Sequence, residues 1–279
     1  MAEATLATTV GELLVSARAR LAAAGCDSPR LDAELLLAHA LDVSRERLVL
    51  DPSAALDPAA SARFDELVLR REAREPVAYI LGRRGFRRLT LAVDPRVLIP
   101  RPETELLVEV GLELASGASV LDVGCGSGAV ALALADERAD LPVRGSDLSP
   151  DAIAVARANA AALGLVVAFE VADLLDGRPA DAVLANLPYV SAGEALAPEI
   201  ALYEPPQALF AGADGLDVVR RLIAEAGAGG AAGGPALLAL EIDPRQSAQV
   251  TALLADAGFD AVEVRRDLAG HDRVVVGRR

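Results

Sequence analysis

Three stretches of the chain carry residues whose types and spacing could do chemistry. The first is Asp122-Val123-Gly124-Cys125-Gly126-Ser127-Gly128, placed where an apolar run hands over to a helical one. Glycines there let the backbone approach a ligand closely and leave the N–H groups of a helix start free to donate. The spacing is G-x-G-x-G, not the G-x-G-x-x-G that cradles a dinucleotide pyrophosphate. The second is Asp147, at the end of the next apolar run. An acid about 20 positions beyond such a loop can accept hydrogen bonds from both ribose hydroxyls of an adenosine group. Ser149-Pro150 already supplies a helix cap and a first helical residue, which leaves Asp147 for a ligand. Asp173, after the following strand, is similarly placed to accept from an adenine amino group, or to cap its own loop. The third stretch is Val183-Leu184-Ala185-Asn186-Leu187-Pro188-Tyr189. A buried strand there ends in a polar amide, a ring-locked backbone and a phenol.

A ribose-binding acid and a glycine turn without a pyrophosphate fingerprint point to S-adenosyl-L-methionine, whose sulfonium cation also suits an acidic domain. The charge is unevenly placed. Residues 1–101 hold 15 Arg against 14 Asp and Glu, a balance of +1, and residues 102–279 hold 12 against 27, a balance of −15, which together give the net −14. The second part would repel a phosphate backbone. Arg83, Arg84, Arg87 and Arg88 are the exception, read as a solvated hairpin tip ahead of a docking patch. Every basic residue is arginine, which excludes a Schiff-base lysine and a P-loop lysine. Cys26 and Cys125 are too few for a disulfide framework, and with His39 and His271 they lack metal-ligand spacing, so no metal is expected. The N-terminus has no basic leader and the longest uncharged run is short and Gly-rich, so a soluble, cytoplasmic protein without a membrane span is expected.

The elements that must position these residues fall into two patterns. Residues 1–75 read as short helices, with Ser28-Pro29 and Asp57-Pro58 as starts and Leu31, Leu35, Leu36 and Leu41 as an apolar stripe. Phe86, Leu89, Leu91 and Val93 fit an extended pairing with residues 77–80 across a turn at Gly82 to Gly85, a hairpin joining two domains. From Ser119 onward strands and helices alternate, which means a parallel sheet with helices on both faces. Residues 226–235 read as a surface loop, and a strand, a helix and a closing β-hairpin end the chain. The domains expected are a helical N-terminal domain over 1–75, a β-hairpin linker over 76–101 and a cofactor-binding α/β domain over 102–279.

Asn186-Leu187-Pro188-Tyr189 resembles the Asn-Pro-Pro-Tyr motif of enzymes that methylate a planar nitrogen. Glu75-Pro76-Val77-Ala78-Tyr79-Ile80-Leu81-Gly82, Leu98-Ile99-Pro100-Arg101-Pro102-Glu103-Thr104-Glu105, Glu204-Pro205 with Ala213 to Leu216, and the ending Asp267 to Arg273 carry a more specific likeness. Over nearly its whole length the chain resembles the release-factor glutamine methyltransferases, the PrmC/HemK family. That resemblance implies a Rossmann-like S-adenosylmethionine-dependent fold, a mostly parallel sheet with a C-terminal β-hairpin, and a small helical domain that helps to hold the partner. It implies methylation of the side-chain amide nitrogen of the glutamine in the Gly-Gly-Gln loop of class I peptide-chain release factors, a step in translation termination. Asn186, Leu187, Pro188 and Tyr189 are then the catalytic and substrate-binding residues. Gly124, Cys125, Gly126, Ser127, Gly128, Asp147, Asp173, Leu174 and Asn186 bind the cofactor. The family usually has proline at position 187, and some members have an aromatic where this chain has Leu174. Asn-Leu-Pro-Tyr is also the form found in ribosomal RNA adenine dimethyltransferases, so an adenine-N6 methyltransferase acting on RNA or DNA stays open, as does a non-catalytic adaptor. The acidic second part and the scarcity of aromatics for base stacking favour a protein partner, no nucleic acid and a monomer. Glu103 and Glu105 either contact the cofactor's methionine end or favour a helix N-terminus.

Overall fold

The computed structural model describes residues 9–228 and 234–279. They fall into two units, one of residues up to Gly82 with Leu196–Tyr203, the other of Arg83–Ala195 and Glu204–Arg279. Most of the loop read over residues 226–235 lies outside the described residues. Among those described, no helix is long and apolar enough to cross a membrane.

The first unit is helical: α1 (Val10–Ala23), α2 (Pro29–Leu41), α3 (Arg45–Leu50), α4 (Pro58–Glu72) and α5 (Val77–Leu81). Thr9 caps α1 through a reciprocal bond with Glu12, and the Asp57 side chain accepts the Ala60 N–H at the start of α4. Leu21, Leu36, Leu37, Phe64 and Val68 form the core. The inward face of α2 differs from the expected stripe, because Leu31 is exposed and Asp32 is buried in its place. The reason is an ion pair: Arg71 Nε of α4 stands 2.8 Å from Asp32 Oδ2, and a buried carboxylate needs such a partner. Arg71 and Arg74 also hold Glu199, at 2.9 and 2.6 Å, from the short helix inserted at Pro198–Tyr203. Burial pushes the Glu199 carboxyl up, but the two guanidiniums outweigh it and bring it down to about 2.

Residues 77–81 are helix, not the first arm of a hairpin. Gly82 sits in the left-handed region at φ 68°, where its N–H closes on Ala78 and Tyr79 and ends the helix. The hairpin forms one step later between β1 (Arg83–Phe86) and β2 (Leu89–Ala92), with Arg83 opposite Ala92 and Phe86 opposite Leu89. It belongs to the second unit, in whose core Phe86, Leu89 and Leu91 lie. Three of its four arginines are held by their own chain. Arg87 pairs with Glu137 at 2.7 Å, Arg88 approaches the same carboxylate at 3.4 Å, and Arg84 donates to the Pro100 carbonyl.

The second unit continues with α6 (Glu105–Leu112), β3 (Val120–Val123), α7 (Ala129–Glu137), β4 (Val143–Asp147), α8 (Pro150–Leu163), β5 (Ala168–Val171) and β6 (Ala182–Ala185). After the inserted helix α9 (Pro198–Tyr203) come α10 (Asp217–Ala228), β7 (Leu237–Glu241), α11 (Ser247–Asp256), β8 (Ala261–Arg266) and β9 (Asp272–Arg278). Seven strands form one sheet in the order β5-β4-β3-β6-β7-β9-β8. The first five are parallel, and the closing hairpin runs antiparallel. β3, β6 and β7 are buried along their whole length, as strands covered by helices on both faces must be. Strand order runs outward in opposite directions from β3 and β6. Ligands bind outside the carboxyl ends of strands at such a switch point, where the two flanking loops part.

Candidate active site

A cleft of about 380 Å³ opens at that switch point. Gly124 and Gly126 reach it from the end of β3, Asp147 from β4, Asp173 and Leu174 from β5, and Asn186, Leu187 and Pro188 from β6. Four consecutive strand ends thus bring eight of the expected site residues together. Cys125 and Ser127 are buried behind the cleft, and Gly128 begins α7. Tyr189 lies beyond the cleft's lining, and burial pushes its phenol up to about 12, so it is neutral.

The glycine loop works by shape. Gly124, Gly126 and Gly128 all lie at positive φ, at 72°, 53° and 83°. A Cβ on Gly124 would fall 2.9 Å from Leu187 Cδ2, so glycine also lets the loops after β3 and β6 pack together. Four of the N–H groups expected to be free are spent inside the protein. Those of Gly124 and Cys125 donate to the Ser146 carbonyl at 2.8 and 2.9 Å, that of Gly126 to Asp147 Oδ2 at 2.9 Å, and that of Gly128 to the Cys125 carbonyl. A loop that has consumed these donors is a poor phosphate cradle, in keeping with the missing pyrophosphate fingerprint. Asn159 of α8, buried at 2% exposure, braces it from behind by donating to the Ser127 carbonyl at 2.9 Å.

Asp147 is not idle either. The Ser149 hydroxyl does cap α8, accepting from the Ala152 N–H, but the Ser149 N–H donates to Asp147 Oδ1 at 2.9 Å. Each carboxylate oxygen therefore holds one backbone donor and keeps lone-pair capacity for a ligand. Burial raises the carboxyl, and the Ser149 and Gly126 N–H groups pull it back. Asp173 makes an ion pair with Arg221 of α10 at 2.7 Å, at the rim of the cleft where both side chains are about half exposed. Leu174 is buried at φ 55°, an uncommon conformation for a branched side chain.

Asn186 follows β6 directly, and its Nδ2 donates to Thr104 Oγ1 at 3.0 Å, which turns the side-chain oxygen the other way. Thr104 sits in the Leu98–Glu105 motif between two glutamates, and its hydroxyl is the group bonded to Asn186. Glu105 starts α6 and accepts the Arg87 N–H at the tip of the hairpin, so its role is to close that turn. Arg101 pairs with Glu204 at 2.5 Å, and the other Glu204 oxygen accepts the Ile99 N–H, fastening the segment before Thr104. Arg96, Gln207 and Arg221 also line the cleft, and nothing in their spacing marks them. Among the described residues no cluster of His, Cys, Asp and Glu could hold a metal ion.

Comparison with known proteins gives this geometry a family. Residues 12–82 match the family described as the PrmC N-terminal domain, and residues 102–210 match the methyltransferase small domain. A release factor glutamine methyltransferase of Deinococcus radiodurans is 43% identical, over 96% of this chain and 98% of the relative. A protein of the same description from Mycolicibacterium smegmatis is 42% identical, over 98% of each chain. The hMettl16 catalytic domain, solved in complex with an RNA hairpin, superposes with a TM-score of 0.54 at 13% identity, over 78% of this chain and 81% of that one. A T. thermophilus 16S rRNA methyltransferase in complex with AdoMet and guanosine gives 0.50 at 19%, over 71% and 49%. These two share the fold, a Rossmann-like methyltransferase sheet, and the near-full-length relatives match the stretch that holds the helical unit as well. The chain belongs to the release factor glutamine methyltransferase family.

Proposed function

We propose that this chain transfers the methyl group of S-adenosyl-L-methionine to the side-chain amide nitrogen of the Gly-Gly-Gln glutamine in class I peptide-chain release factors. The observation that carries the reading is Asn186, set at the cleft with its NH2 tied back to Thr104. The cofactor fits the residues present. The cleft lies within the usual range of ligand pockets, roughly 300–1,000 Å³. It offers a carboxylate with spare acceptor capacity for the ribose and a loop whose Gly124, Cys125, Gly126 and Gly128 N–H groups are already spent. When bound, the cofactor supplies an electrophilic methyl carbon on a sulfonium. Gly124, Cys125, Gly126, Ser127 and Gly128 shape its berth, Asp147 accepts from the ribose hydroxyls, and Asp173 and Leu174 flank the adenine.

An amide nitrogen is a poor nucleophile because its lone pair is delocalised into the carbonyl. Asn186 Oδ1 and the Leu187 carbonyl each accept one of its N–H bonds, which aims the nitrogen at the methyl carbon and localises the pair. Pro188 holds residue 187 extended, and Tyr189, a neutral phenol just beyond the lining, follows it. The bound cofactor would supply the methyl group and take up the C–S bonding pair on its sulfur, while Asn186 and Leu187 hold the accepting nitrogen. The N-methyl amide then sheds its extra proton to water, so no strong base is needed. The helical unit up to Gly82 helps to hold the release factor, the chain passes at Arg83 into the methyltransferase domain whose core includes the β1–β2 hairpin, and the enzyme acts in the cytoplasm as a monomer without nucleic acid or membrane.

Position 187 is expected to work through its backbone carbonyl, which leucine and proline share. Leu187→Pro should then keep turnover within about tenfold, a barrier change of roughly 1.4 kcal/mol. The Leu187 side chain is buried against Gly124, so the variant's melting temperature is recorded beside its single-turnover rate. A loss as deep as that of Asn186→Ala would mean that the leucine side chain shapes the acceptor pocket. The acceptor class is tested by offering labelled S-adenosylmethionine a release factor and total RNA together. Label in the protein fraction is the expected result, and label confined to RNA adenines would replace this reading with the nucleic-acid one.

A further inference from the structure

The loop after β5 carries Asp173 and Leu174 to the cleft, and its backbone is fastened on both sides of them. Before them the Ala172 N–H donates to the Asp147 carbonyl at 2.9 Å, which extends the pairing with β4, and after them the Leu175 carbonyl accepts the Arg178 N–H at 2.9 Å. Between these bonds Leu174 lies buried at φ 55°. A bulky side chain takes that left-handed backbone only where its surroundings hold it there.

The hold comes from α10. Arg221 and Glu225 stand about one turn apart, on one face of that helix. Arg221 Nη2 donates to Asp173 Oδ2 at 2.7 Å, and the Leu175 N–H donates to Glu225 Oε2 at 3.0 Å, so the helix grips the loop on either side of Leu174. The helix is itself anchored, because its Leu222 and Ile223 pack in the same core as Leu174 and Leu175. The Asp173 and Arg221 side chains are about half exposed, and so wet an ion pair does little for stability. Its effect is one of placement. The pair is made through Oδ2, and an ionised carboxylate keeps acceptor capacity at Oδ1 for a ligand.

We infer that Arg221 and Glu225 are positioning residues for the base of the cofactor, a two-point clasp that fixes the loop after β5 and thereby sets a preference for a 6-amino over a 6-oxo purine. The inference rests on the adenine berth proposed above. A 6-amino group donates to the Asp173 carboxylate, whereas a 6-oxo group sets one acceptor against another. Rejecting the second purine needs the carboxylate at a fixed point. With the clasp released, Leu174 relaxes to an ordinary backbone and its neighbour Asp173 moves with it.

The test reads binding alone, by calorimetry on the full chain with S-adenosylhomocysteine and S-inosylhomocysteine, which set a 6-amino against a 6-oxo purine. The wild type is expected to favour the adenine compound by at least about tenfold, the worth of one hydrogen bond to a charged group. Arg221→Ala and Glu225→Ala should each cut that preference to about threefold, and Glu225→Gln, which keeps an acceptor for the Leu175 N–H, should retain it. A merely destabilised fold would weaken both compounds alike and leave the ratio standing. The wild-type ratio in both alanine variants would overturn the clasp, as would a ratio that falls as far in Glu225→Gln as in Glu225→Ala. Solvent exchange of the Leu175 amide, followed by NMR without any ligand, separates the clasp from the berth. Protection that is lost in Glu225→Ala and kept in Glu225→Gln supports the clasp whatever the ligand, and protection unchanged in Glu225→Ala overturns it. A wild type that binds the two compounds equally would instead strike the adenine berth.

Discussion

Asn186→Ala is expected to lower the single-turnover rate of methyl transfer by about 10²–10³-fold, the usual loss when one preorganised polar contact to the reacting group is removed. The substitution deletes the acceptor that holds one amide N–H of the substrate and strands the Thr104 hydroxyl that Asn186 now satisfies. Cofactor binding is expected to change far less, because Asp147 and the loop after β3 are untouched. Rates at saturating cofactor, with both affinities measured separately, distinguish a lost transition-state contact from a lost binding contact. A drop confined to affinity would place Asn186 outside the reacting centre.

Asp147→Ala is expected to weaken S-adenosylmethionine binding by about 1–3 kcal/mol, or roughly 5- to 150-fold. Two costs combine. The ribose hydroxyls lose their acceptor, and the Gly126 and Ser149 N–H groups, which now donate to Oδ2 and Oδ1, lose theirs. The second cost falls on the shape of the loop itself, so the upper part of that range is the expectation. Calorimetry on the purified variant measures it, and an unchanged Kd would remove Asp147 from the cofactor's berth.

Much of this architecture was legible in the sequence because local and long-range signals agree. The run from Ser119 to Ala185 alternates short apolar strands with capped helices, and each strand ends in a loop carrying a glycine or a polar residue. That pattern places Gly124, Asp147, Asp173 and Asn186 at one edge of one sheet before any coordinate is known. What stayed hidden was pairwise. The segment 77–81 is too short for its periodicity to separate strand from helix, and the left-handed Gly82 decided it. Asp32 reads as a solvated acid until Arg71, 39 positions away, is found against it. Which N–H groups of the glycine loop remain free depends on Ser146 and Asp147, which the loop meets only once β3 and β4 have paired. Thr104 stands in the Leu98–Glu105 motif between two glutamates, and its meaning comes from the hydrogen bond with Asn186, 82 positions away.

The central claim is that the acceptor is one glutamine side-chain nitrogen, and tandem mass spectrometry of the product tests it most directly. A release factor is incubated with the enzyme and S-adenosylmethionine, digested, and the methyl group located within the Gly-Gly-Gln peptide, beside a release factor in which that glutamine is replaced by alanine. The account predicts a single methyl on the glutamine side-chain amide and none on the alanine variant. A methyl group elsewhere in the release factor, or one that persists in the alanine variant, would contradict it.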